Sequence, residues 1–139
     1  MIQAVIFDMD GVIIDSEPTH VAIEKKVINK HSGKDLPPGS LERFSGTTDH
    51  HFWKAIVKDF NLKVEPEELS EEKNEVYLSK IKDLKLFPGV KELIQKLKSN
   101  SIKIALASSS KEEWIKEILE LNDLHFDCVL SGETLHHPK

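Results

Sequence analysis

Three short apolar runs with no regular polar alternation set the tightest limit on the fold: Ala4 to Phe7 (AVIF), Ile102 to Ala107 (IKIALA) and Phe126 to Leu130 (FDCVL). Such runs read as strands covered on both faces, the pattern of a parallel sheet. Between the second and third lies SSSKEEWIKEILELND, where Trp114, Ile115, Ile118, Leu119 and Leu121 recur at helical spacing behind a serine cap, with Glu112 and Glu113 in the first turn. Strand, helix, strand is the βαβ unit, which joins parallel neighbours. A further helix, PGVKELIQKLKSN, precedes the second strand, with Pro88 near its start and Val90, Leu93, Ile94 and Leu97 on one face.

The first strand is separated from the second by about ninety residues, where a whole βαβ unit needs only about thirty. Something is inserted. The stretches SEPTHVAIEKKVINKH, TTDHHFWKAIVKDF and PEELSEEKNEVYLSKIKDL all carry helical periodicity, and GKDLPPGS breaks the first from the second. The expected organisation is therefore an α/β core of residues 1–15 and 85–139, with only three strands readable, and an inserted all-helical domain over residues 16–84.

At 139 residues the chain is sized for one core with a small insertion. With 19 Lys and Arg against 24 Asp and Glu, the net charge is −5 and the lysines are scattered among acids, which argues against nucleic acid or an anionic membrane as partner. Cys128 is the single cysteine and sits in an apolar run, so a buried free thiol and a reducing cytoplasm are expected. No run approaches the ~18 apolar residues of a membrane span.

The chemistry concentrates at FDMDGVIIDSEP, which puts Asp8 and Asp10 at the carboxyl end of the first strand. Asp-Gly between apolar residues also signals a hairpin, but the helix beginning at DSEPTH leaves almost no return strand. Carboxyl ends of parallel strands line the binding crevice, and Ser108, Ser109 and Ser110 stand at the second such end. A carboxylate can attack phosphorus if Mg²⁺ shields the repulsion between two anions. A second carboxyl group can supply the leaving oxygen with a proton, and hydroxyls with backbone N–H groups can hold the phosphate oxygens. Serines before a helix are otherwise simple caps. A calcium loop counted from Asp8 does not fit, because Ile13 stands where glycine is needed and Thr19 where glutamate is needed. Zinc is disfavoured because His50 and His51 are adjacent and point apart on a helix, while His136 and His137 have no cysteine nearby.

FDMDGVIIDSEP, the helical insertion, PGVKELIQKLK, IALASSS and the terminal HPK together resemble the haloacid-dehalogenase superfamily, and more narrowly its β-phosphoglucomutase-like branch of phosphatases and phosphomutases. The resemblance implies a Rossmann-like parallel core with a small helical cap. It implies that Asp8 is the nucleophile and a metal ligand, and that Asp10 is the general acid/base and binds Mg²⁺ through its backbone carbonyl. It makes Ser108 and Ser109 phosphate ligands, lets the Gly11 backbone approach the phosphate, and assigns Lys139 to neutralise it. His20 matches a histidine of the mutase cap. Three residues after Gly46, where the mutase carries an arginine for a second phosphate, stands Asp49.

These residues lead to the expectation of a Mg²⁺-dependent phosphatase acting on a small sugar or polyol monophosphate, a phosphorylated metabolite. The alternatives are a phosphomutase or an inactive metal-binding fragment. The cap is expected to hinge near Asp15 to Pro18 and Leu84 to Pro88. The chain also stops at the lysine where the family continues, so a truncated member is expected, poorly active or inactive alone. Its first strand would then be an exposed edge suited to self-association.

Overall fold

The structure, a computed structural model, describes residues 2–44 and 46–134. It contains β1 (Ala4–Phe7), α1 (Glu17–Ser32), α2 (Asp49–Phe60), α3 (Pro66–Lys80), α4 (Val90–Ser99), β2 (Lys103–Ser108), α5 (Glu112–Leu121) and β3 (Cys128–Ser131). The chain divides into two compact units, one formed by residues up to Glu17 together with those from Ile81 onward, the other by Pro18–Lys80.

In the first unit the strands form one parallel sheet in the order β1-β2-β3. The register pairs Phe7 with Leu106 and Ser108 with Ser131. β2 begins one residue later than its apolar run, because Ile102 N–H still bonds the Leu97 carbonyl at the end of α4 while Lys103 N–H takes the Gln3 carbonyl. β3 also begins late. The Asp127 carboxylate accepts the Ile104 N–H at 2.9 Å, and the Phe126 ring turns edge-on to Phe7 at 5.9 Å.

Each strand step runs the same way across the sheet, so right-handed crossovers place α4 and α5 on one side. That side carries the core: Phe7, Ile104 and Leu106 from the strands with Val90, Ile94, Trp114, Ile115 and Ile118 from the helices. The opposite side is open among the described residues, with Ile6 72% and Leu130 47% exposed. The expectation of strands covered on both faces is therefore corrected to one covered face. Cys128 is corrected with it: it lies on the open face of the outer strand and is exposed rather than buried. Among the described strands β1 pairs only with β2, which makes it a sheet edge.

The helical unit packs α2 against α3 and buries Ile23, Val27 and Ile28 of α1, Phe52, Trp53 and Ile56 of α2, and Leu69 and Tyr77 of α3. Thr48 caps α2 by accepting the His51 N–H, and Asn61 ends it in the left-handed region at φ 49°. Among the described residues no helix is long and apolar enough to cross a membrane.

Candidate active site

The turn after β1 builds the first half of the site. Asp8 is exposed, Met9 is fully buried and Asp10 is half-buried, so burying one methionine points the two flanking carboxylates away from the core. The Met9 carbonyl accepts the N–H groups of Val12, Ile13 and Ile14, which closes a tight turn. Gly11 stands in that turn at φ +73°, and a Cβ there would meet nothing within 4 Å; backbone conformation, not crowding, calls for glycine. The Asp-Gly pair makes no hairpin. Instead of a return strand, Ile14 forms a single antiparallel bridge to Leu86, with Phe87 N–H on the Ile13 carbonyl and Asp15 N–H on the Lys85 carbonyl. Both segments expected to hinge are thus stitched together at the foot of the insertion.

The sheet register brings the second half alongside. Phe7 pairs with Leu106, so Asp8 comes level with Ala107 on a neighbouring strand about 4.8 Å away, one residue before Ser108. One Asp8 oxygen accepts the Met9 N–H at 2.8 Å. Ser108 is buried, and its hydroxyl accepts the Ser110 N–H at 3.1 Å; Ser109 is exposed at the tip. A Cβ at Gly132, just past β3, would come 3.1 Å from Ser109 Cα, so the end of β3 closes directly on the serine loop.

The expected serine cap of α5 is not made. Lys111 occupies the cap position without a side-chain bond, and the Glu112 N–H is accepted by the Glu133 carboxylate at 3.1 Å. The Ser110 hydroxyl is used elsewhere: it donates to Asp10 Oδ2 at 2.6 Å, while buried Ser16 donates to Asp10 Oδ1 at 2.6 Å. Ser131 in turn donates to the Ser110 carbonyl at 2.8 Å. Ser16 and Ser131 were not singled out by the sequence, and Ser110 was read only with Ser108 and Ser109 as a phosphate-holding hydroxyl or helix cap. The available signal was three consecutive serines where a helix needs only one cap.

The remaining candidates belong to the helical unit or fall outside the described residues. Gly46 is exposed at φ +79°, and Lys139 lies outside the described residues. Within the helical unit, the His20 ring stacks on Tyr77 with centroids 4.2 Å apart. Asp49, at the start of α2, pairs with buried Lys73 of α3 at 2.9 Å and accepts the Ser70 hydroxyl. Partial burial pushes the Asp49 carboxyl up, but the Lys73 charge and the hydrogen bonds outweigh it and the net shift is downward. Glu24 is shifted upward, because burial outweighs the pull of Lys73 and His20. Asp49 therefore belongs to a structural ion pair with Lys73. A recess of about 260 Å³ beside it is lined by Asp49, His50, Pro66, Glu67, Ser70 and Glu71, an acidic wall unsuited to a phosphate.

A family model described as haloacid dehalogenase-like hydrolase matches residues 5–139, nearly the whole chain. The chain belongs to the haloacid dehalogenase-like hydrolases. Similar members include a phosphorylated carbohydrates phosphatase of Thermotoga maritima, 31% identical over 99% of this chain and 64% of the relative. A β-phosphoglucomutase of Bacillus subtilis is also 31% identical, over 88% of this chain and 58% of the relative. Among solved structures, a β-phosphoglucomutase from Clostridium difficile superposes with a TM-score of 0.79 at 31% identity, covering all of this chain and 66% of that one. The α/β architecture with its helical insertion is thus that of β-phosphoglucomutase-like haloacid dehalogenase-like hydrolases. The chain spans 58% to 66% of the length of these relatives.

Proposed function

We propose that this chain carries the phosphoryl-transfer centre of a phosphohydrolase acting on a small phosphomonoester, a sugar or polyol phosphate, through a phosphoryl group held on Asp8. The observation that carries the reading is an exposed Asp8 carboxylate at the end of β1, level with the serine loop at the end of β2. The Met9 N–H fixes the rotation of the carboxylate by holding one oxygen, which leaves the other to attack phosphorus. As the P–O ester bond breaks, Asp10 gives a proton to the leaving oxygen, then takes one from the water that hydrolyses the aspartyl-phosphate. Ser108, Ser109 and their backbone N–H groups suit the equatorial phosphate oxygens.

The donor set also fits a hard cation. With both Asp10 carboxylate oxygens on serine hydroxyls, its backbone carbonyl and the Asp8 carboxylate are the oxygens that would hold Mg²⁺. When bound, such an ion offsets the repulsion between carboxylate and phosphate. Among the described residues no three His, Cys, Asp or Glu side chains gather.

The carbohydrate-phosphate phosphatase relative supports the substrate class. The mutase reading stays beside it because a β-phosphoglucomutase relative is 31% identical over 88% of this chain. A panel of phosphomonoesters assayed with and without Mg²⁺ tests the proposal, with isomerisation of sugar phosphates as the mutase arm. Mg²⁺-dependent release of phosphate from sugar or polyol esters is expected. A chain that binds Mg²⁺ yet turns over no ester would overturn it.

A further inference from the structure

Asp10 is gripped at both oxygens by hydroxyls from two distant parts of the chain, Ser16 and Ser110, each at 2.6 Å. Both grips are themselves anchored. Ser16 is buried in the first unit, and the Asp15 N–H before it is tied to Lys85. The Ser110 backbone is held on both sides, its N–H by the Ser108 hydroxyl and its carbonyl by the Ser131 hydroxyl, so all three strand ends contribute to where its side chain sits. Two short, converging hydrogen bonds on a half-buried carboxylate fix its rotamer far more strictly than one would.

We infer that Ser110, with Ser16, is a positioning residue for Asp10: the pair holds its side chain in one rotamer at the strand end. The inference rests on the phosphohydrolase reading for its kinetic consequence, but the clamp itself is a statement about geometry. In the proton transfer no extra reactant is needed. Asp10 gives its proton to the leaving oxygen, becomes the carboxylate that Ser16 and Ser110 hold, and is reprotonated by the attacking water; the serines keep their own hydrogens throughout. A serine acting instead as a phosphate ligand would touch every ester alike, whereas a serine that positions Asp10 matters in proportion to how much the leaving group needs a proton.

Two measurements on Ser110→Ala, Ser16→Ala and the conservative Ser110→Thr separate these roles. The first is the Asp10 rotamer in crystals of each variant. Ser110→Ala should move the carboxylate off its position, and Ser110→Thr should restore it. The second is steady-state kinetics on alkyl and aryl phosphate esters. Ser110→Ala should lower kcat on alkyl esters about tenfold while aryl esters change little and KM is unchanged; Ser110→Thr should recover most of the loss. An Asp10 side chain unmoved in both alanine variants overturns the clamp. A rise in KM shared by both ester types overturns the positioning role in favour of phosphate binding. If the unmodified chain hydrolyses no ester, the phosphohydrolase reading fails, while the crystallographic arm still decides whether the serines set the rotamer.

Discussion

Replacing Asp49 by arginine should unfold the helical unit at lower temperature, and the structure sets the size of the effect. Asp49 lies 2.9 Å from the Lys73 ammonium; the Lys73 side chain is 10% exposed and that of Asp49 41%. Two unit charges about 4 Å apart at an effective dielectric near 20 interact by about 4 kcal/mol. Substitution turns that attraction into repulsion, but the water-exposed side of Asp49 screens it, and a long arginine can swing its head into solvent. Glu24 remains as a second carboxyl group near Lys73. A net loss of about 2 kcal/mol follows, a drop in Tm of about 8–16 °C for a unit of this size, with Asp49→Asn losing about half as much. The deficit is also pH-dependent. The folded Asp49 carboxyl titrates below its ordinary value, so its stabilisation is complete above the unfolded carboxylate range and disappears as pH falls through the folded value. Thermal melts by circular dichroism at neutral and acidic pH read both. An Asp49→Arg variant melting within about 1 °C of the parent would refute the ion-pair account.

Further outcomes follow from the site and the sheet. Asp10→Asn should slow hydrolysis of alkyl phosphates far more than nitrophenyl phosphate, since only the former needs a proton on the departing oxygen; equal losses would remove Asp10 from that role. Gly132→Ala should weaken phosphate binding and cost about 1–2 kcal/mol in denaturant melts, because its Cβ would press on the Ser109 backbone at 3.1 Å; an unchanged serine loop in a crystal structure of the variant would contradict this. The edge position of β1, with Ile2 69% and Ile6 72% exposed, should let two copies of the chain pair through it, so light scattering should show concentration-dependent association that Ile6→Lys reduces. A monomer at every concentration would exclude that contact.

The parts of the fold that chain order and periodicity determine were legible in the sequence. The βαβ pattern around α5 and the long interval after β1 identify a parallel core with an insertion, and the Asp8–Met9–Asp10 alternation at a strand end marks the candidate site. What depends on neighbours far along the chain was not. Nothing local says that Ser110 gives its hydroxyl to a carboxylate one hundred residues earlier in sequence, or that Glu133 rather than a serine serves the start of α5. Lys73 is an intermediate case: it stands midway between Leu69 and Tyr77 on the buried stripe of α3, and a lysine at such a position requires a partner, here Asp49 of another helix. Cys128 shows the opposite error. An apolar run predicts a strand, but only the direction of the crossovers decides which of its faces is covered.

The central claim is that Asp8 itself receives the phosphoryl group. Rapid acid quenching of the chain during turnover of a sugar phosphate or acetyl phosphate with Mg²⁺, followed by peptide mass spectrometry, tests it directly. The account predicts one phosphoryl group on the peptide containing Asp8, released by hydroxylamine and absent from Asp8→Asn, which should fold normally and hydrolyse no ester. Undiminished Mg²⁺-dependent turnover by Asp8→Asn, or a phosphoryl group trapped on any other residue, would contradict it.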